Sequence, residues 1–217
     1  MTVCTAAGRQ AIGPRRWRGA IVGLAGAMLA LVVHAHDTWL LPDGGRYDEP
    51  TEVTLGLSSG NLFPDAESGF PPERIAAASF RLGGVHYPLS VLRVTPEQLL
   101  LRLAPHAPGI AAVVVAVEPL DVEIDDHIVE IYFDEINASE AQRKAWSAAG
   151  QTRRWQERFV KHAKTYVRFG SADDATAWST PSGATFEILP EADPTALTAG
   201  DSLPVRVLKN GLPLEGL

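Results

Sequence analysis

A histidine at the first position of a mature chain can grip one metal ion with two nitrogens, its ring and its free α-amine. Residues 33–36 read Val33-His34-Ala35-His36 and end a secretory signal. Four arginines (Arg9, Arg15, Arg16, Arg18) precede an apolar run from Ala20 to Val33, and the −3 and −1 positions of a cut after Ala35 are Val33 and Ala35. Cleavage there exposes His36, whose α-amine has an ordinary pKa of about 7.7. An internal histidine lacks that amine. The competing reading is that His36 only marks where the mature chain begins, with its ring in water.

A metal held this way needs further ligands. Nickel and copper accept square-planar or tetragonal nitrogen sites, so a second histidine is the natural completion. His86, His106, His127 and His162 are the candidates. His127 follows Asp125 and Asp126 in an acidic stretch, and His106 lies in a Pro-His-Ala-Pro-Gly turn. His86 falls on a hairpin strand, and His162 borders an apolar stripe. The expected set is His36 with His127 or His106; an ordinary surface or packing role is the alternative for each internal histidine. Thr38 holds the third mature position, so the amino-terminal copper and nickel motif with histidine there is absent.

Composition narrows the setting. Removing the leader leaves 182 residues, enough for one sizeable core, and takes the net charge from −7 to −11. Such acidity argues against nucleic acid and suits an exported protein, periplasmic or secreted, that handles cations. Cys4, the only cysteine, lies in the leader, so the mature chain has neither a disulfide nor thiolate chemistry. Beyond the leader no apolar stretch is long enough to cross a bilayer. Charge is also segregated: residues 118–135 hold eight acids and no lysine or arginine, and residues 143–168 hold eight basic residues and one acid, Glu157. The two segments either present opposite faces to partners or pair with each other; pairing is the simpler reading.

The elements that must position these groups start as strands. Thr51-Glu-Val-Thr-Leu-Gly-Leu57 alternates polar and apolar residues. Residues 79–82 and 85–89 flank Gly83-Gly84 as a hairpin, and residues 99–103 and 111–117 flank the His106 turn. The last run is apolar throughout, as a central strand is. Residues 60–72 read as a surface loop. The pattern then predicts a helical segment over about 126–166. It comprises a first helix capped by Asp125 or Asp126, a second opened by Ser139-x-x-Gln142 and stopped at Gly150, and a third with Trp155, Phe159, Ala163 and Tyr166 as its apolar stripe. Val167 to Gly170 turn back toward a strand. A short strand at 185–190, a linker at 191–200, and a strand, Asn210-Gly211 turn and return strand close the chain.

His36-Asp37-Thr-Trp39-Leu40 directly after a leader resembles the start of the NikM-like periplasmic proteins, often labelled components of cobalt or nickel uptake. Glu157-Arg-Phe-Val-Lys-His-Ala163-Lys164-Thr-Tyr-Val167-Arg-Phe-Gly170, Phe186-Glu-Ile-Leu-Pro190-Glu191-Ala-Asp193-Pro194 and Gly200-Asp-x-Leu-Pro204-Val-Arg-Val-Leu208 extend the resemblance. It implies a mainly β fold: an immunoglobulin- or transthyretin-like β-sandwich with a helical insertion over residues 36–190, followed at 191–217 by a linker and the truncated start of a second sandwich. The leading expectation is a non-enzymatic protein that binds nickel or cobalt, with copper the third candidate, and delivers it to a membrane metal-uptake transporter. A metal-independent binding module with an apolar groove near Phe63 and Phe70 is the alternative. A copper enzyme using His36 ranks third. No Gly-x-Ser-x-Gly, His-Glu-x-x-His or phosphate-cradling loop supports catalysis.

Overall fold

The computed structural model describes residues 37–150, 153–171 and 175–214. His36 and the expected leader lie outside them. The strands are β1 (Asp37–Pro42), β2 (Arg46–Tyr47), β3 (Val53–Gly60), β4 (Ser68–Gly69), β5 (Ile75–Leu82), β6 (Val85–Pro88), β7 (Ser90–Val94), β8 (Leu99–Leu103), β9 (Gly109–Val117) and β10 (Leu120–Ile124). Helices α1 (Val129–Glu135) and α2 (Glu140–Ala148) follow, then β11 (Trp155–Phe159), β12 (His162–Phe169), α3 (Ala175–Ser179), β13 (Phe186–Pro190), β14 (Val205–Lys209) and β15 (Leu212–Pro213). The chain is mainly β, as expected.

Two sheets form the sandwich. One has the order β1-β3-β8-β7, with β4 on the free end of β3; the other has the order β2-β12-β9-β5-β6. Alternation decides which side chains meet between them. Val53, Leu55 and Leu57 of β3 and Leu99, Leu101 and Leu103 of β8 face Phe80, Val113, Val115, Val167 and Phe169, all at most 2% exposed. β9 is central in its sheet, and its outward residues are apolar as well: Ala112 is buried, and Val114 and Ala116 are partly buried. A strand apolar on both faces needs cover on both, and the second cover proves important below.

Between Val117 and His162 the chain leaves the sandwich. β10 and β11 form a separate antiparallel ribbon carrying α1 and α2, and Ile124, Val129, Tyr132, Phe133 and Trp146 make a second, smaller core. The acidic and basic segments pair here. Arg143 reaches Asp134 (2.8 Å) and Glu130, Arg153 reaches Asp126 (2.8 Å), and Arg154 and Arg158 reach Glu123 and Asp121 across the ribbon.

The expected third helix is corrected: residues 155–159 and 162–169 are β11 and β12. Trp155, Phe159 and Ala163 recur every four residues, a spacing that fits a helix stripe and also every second inward position of a strand. The buried set Ala163, Val167 and Phe169 follows the strand period. The first helix is shorter than expected. It starts at Val129 without a side-chain cap, because the Asp126 carboxylate is taken by Arg153 and Asp125 offers only its carbonyl, to the Ile128 N–H at 2.9 Å.

The second helix matches its signals. Ser139 Oγ accepts from the Gln142 N–H, the Gln142 side chain accepts from the Ser139 N–H at 2.8 Å, and Gly150 lies just past the end at φ 78°. Ser139→Ala leaves one N–H of the first turn without its acceptor and is expected to cost about 1 kcal/mol, read as a lower urea midpoint with unchanged slope.

At the far end of the chain β13, β14 and β15 form a third antiparallel sheet. Glu187, Leu189 and Leu208 are buried on one of its faces; Phe186, Ile188 and Val205 of the opposite face are 53, 62 and 45% exposed.

Candidate functional site

Two places gather side chains that could do chemistry. The first is the end of the sandwich where β1 opens. The β1–β3 register sets Asp37 opposite Gly60 and Thr38 opposite Ser59, whose hydroxyls bond at 2.7 Å. The loop after Gly60 folds back so that the Glu67 carboxylate accepts from the backbone and side-chain nitrogens of Asn61 at 3.2 and 3.4 Å. Its carboxyl carbon lies only 3.0 Å from where a Cβ on Gly60 would stand, so glycine makes room for it. Lys161 lies immediately before β12. Burial lowers its ammonium pKa, and the Asp37 carboxylate opposes that shift. Its aliphatic stem brings the ammonium 5.5 Å from the Phe159 ring.

The internal histidines do not converge. β3 runs from Gly60 to Val53, and Val53 pairs with Leu103 at the head of the His106 turn. His106 therefore stands at the opposite end from Asp37, about 23 Å along the strand, edge-on to Tyr87 at 4.3 Å. His127 occupies an exposed turn beyond the far end of the β10–β11 ribbon, which rises about 13 Å from Leu120 to Ile124. His86 lies on β6 and His162 on β12, both exposed and on the outer face of the second sheet. Among the described residues no three His, Cys, Asp or Glu side chains gather to hold an ion.

The second place is a groove that sequence reasoning did not find. The floor is the outer face of β12 and β9, with His162, Lys164, Tyr166 and Val114; the wall is the exposed face of the third sheet, with Phe186, Ile188, Val205 and Val207. Its volume is about 640 Å³. At the hinge of floor and wall, Lys164 Nζ donates to Glu187 at 2.5 Å, with side chains 15 and 3% exposed. The backbone N–H groups of Ser182 (2.8 Å) and Gly183 (3.2 Å) also donate to Glu187. Burial pushes its pKa up, but the bonds from Lys164 and Ser182 outweigh burial and hold it below the usual carboxylate range. Arg168 ties the next turn by donating to Asp193 and to Thr195 Oγ1 at 2.9 Å. The signal was present in the sequence: a central strand apolar on both faces implies a second covering layer.

Of the two expected groove residues, Phe63 is 65% exposed. Phe70 packs against the sandwich core, and Phe63 lies edge-on against Trp39 at 5.6 Å. Among the described residues no helix is long and apolar enough to cross a membrane.

Fold and side chains together define a β-sandwich module with a helical excursion and an appended three-stranded sheet. The chain belongs to DUF4198, a domain of unknown function, whose family model matches residues 33–217. No curated protein matches the chain, and no solved structure does.

Proposed function

We propose that this is an exported protein, periplasmic where a second membrane exists, that binds a divalent transition metal at its Asp37 end. Nickel or cobalt is the first choice and copper the third. It hands the ion to a membrane uptake transporter and is a carrier rather than an enzyme. The resemblance of His36-Asp37-Thr-Trp39-Leu40 and the later motifs to NikM-like proteins motivates the cargo. The observation that carries the reading is the register of β1: the residue following His36 is fixed opposite Gly60, and the Glu67 carboxyl carbon lies 3.0 Å from where a Cβ on Gly60 would stand.

The ligand set proposed differs from the expected pairing of His36 with His127 or His106. His106 stands at the other end of the sandwich and His127 beyond the ribbon. The set is therefore the His36 amine and imidazole completed by carboxylates of the same end, Asp37 and Glu67. Nitrogen with oxygen donors suits nickel, cobalt and copper.

Calorimetry of protein processed after Ala35 tests it. Nickel is expected to bind the processed form at least tenfold more tightly than His36→Ala or a form that keeps Ala35. Affinity should fall as pH drops through about 7.7 and 6.5, where amine and imidazole take up protons. Equal affinity in all three proteins would end the proposal.

A further inference from the structure

The groove does not stop at Lys164. His162, Lys164, Val114, Ser182 and Ala184 line both it and a second space of about 240 Å³ that runs on over β9 and β5 toward β6. The chemistry changes along that path. The outer part is walled by Phe186, Ile188, Val205 and Val207. The inner part is floored by Ala77, Ala112 and Ala116, whose short side chains give it depth, and it is bounded by Arg81, His86 and Thr180.

Register fixes the polar end. Arg81 pairs with His86 across β5 and β6, so the two side chains are neighbours on one face. Arg81 Nη2 donates to the carbonyls of Ala177 (2.8 Å) and Thr180 (3.0 Å), which orients the guanidinium. Of its five N–H donors, those on Nε and Nη1 make no bond among the described residues, and neither imidazole, His86 or His162, makes a side-chain bond there. Both Arg81 and His86 also edge a small recess by Gly83 and Gly84.

No negative charge competes. Among the described residues lining these spaces Glu187 is the sole carboxylate, and Lys164, Ser182 and Gly183 already donate to it. A cationic ligand meets nothing to pair with. A neutral apolar ligand leaves the Arg81 donors unmatched. An anion with a hydrocarbon body satisfies both halves, and the outer space of about 640 Å³ lies within the usual range for small-molecule sites, about 300–1,000 Å³.

We propose that this cleft binds a hydrocarbon carboxylate of medium-chain fatty-acid type, its acid group at Arg81 and His86 and its chain along the Phe186–Ile188–Val205 wall. Arg81 presents the carboxylate with a planar fork of donors. The chain crosses the alanine floor and passes Lys164 to reach the apolar wall. The site shares no lining residue with the Asp37 end and needs no metal.

The test is titration of the processed protein, in excess chelator, with decanoate, decanol and decyltrimethylammonium, read by calorimetry. Decanoate is expected to bind at least tenfold more tightly than either of the others. Ile188→Asp should abolish decanoate binding, and Arg81→Gln should weaken it about tenfold without changing decanol binding. Arg81 also holds α3 through Ala177 and Thr180, so His86→Gln, on an exposed strand position, serves as the second variant and should weaken decanoate severalfold with an unchanged melting curve. Equal binding of the three ligands would overturn the proposal. So would an absence of decanoate binding, or full decanoate affinity in both Arg81→Gln and His86→Gln. The chelator keeps the outcome independent of metal binding by His36.

Discussion

Glu187→Gln should lower the unfolding free energy at neutral pH by about 3 kcal/mol, the usual cost of breaking a buried ion pair from one side. The carboxylate is 3% exposed and lies 2.5 Å from Lys164 Nζ. The amide keeps the shape of the side chain but replaces one acceptor oxygen by an NH₂. That group faces the N–H donors of Ser182 and Gly183 or the ammonium of Lys164, and one of them goes without an acceptor.

The pH dependence has a definite sign. The folded carboxyl has a lowered pKa. Its stabilisation is therefore complete above the unfolded value of about 4.3 and is lost as pH falls through the folded pKa. Urea unfolding at pH 7 and pH 3 should show a wide gap between wild type and Glu187→Gln at pH 7 that narrows in acid. A gap of the same width at both pH values would show that the pair's charge is not what holds the third sheet against β12. Lys164→Met with Glu187→Leu, removing both charges together, should cost less than Glu187→Gln alone.

Phe133→Ala should cost about 4 kcal/mol and act on the excursion alone. The Phe133 ring is fully buried, edge-on to Trp155 at 4.8 Å and to Trp146 at 6.2 Å. The small core it centres shares no residue with the sandwich core. Deleting the ring leaves a cavity among two indoles and Tyr132 that short helices cannot close. Amide exchange should accelerate through α1, α2, β10 and β11 while β3, β9 and β12 keep wild-type protection. Equal loss of protection in β9 would mean that the excursion and the sandwich unfold as one unit.

Most strands are legible because one mechanism, alternate burial, both writes the pattern and builds the sheet. Val53, Leu55 and Leu57 show it, as do the Gly83-Gly84 hairpin and the Asn210-Gly211 turn before β15. Ser139 and Gln142 are equally plain, because a cap is made within four residues. The failures share a cause. Trp155, Phe159 and Ala163 satisfy two periods at once, and only the antiparallel partners of β11 and β12, in β10 and β9, decide between them. Asp126 reads as a cap until Arg153, far along the chain, takes its carboxylate. The groove is built the same way: Arg81, Lys164 and Glu187 are unremarkable singly, and tertiary pairing alone brings them to one cleft. The Asp37 end is a mixed case: His36 and Asp37 are consecutive in sequence, but tertiary folding alone brings Glu67 and Lys161 to that end.

The excursion leaves and rejoins at neighbouring points. Val117 N donates to Lys161 O at 2.9 Å, and Ala116 stands opposite His162. β9 and β12 thus form an ordinary hairpin whose connection has been swollen into a ribbon and two helices. Shortening that connection to a tight turn should keep the β9–β12 pairs from Ala116–His162 to Gly109–Phe169. The swollen connection is a detachable ornament, free to change shape and vocation while the framework beneath it stays as it is.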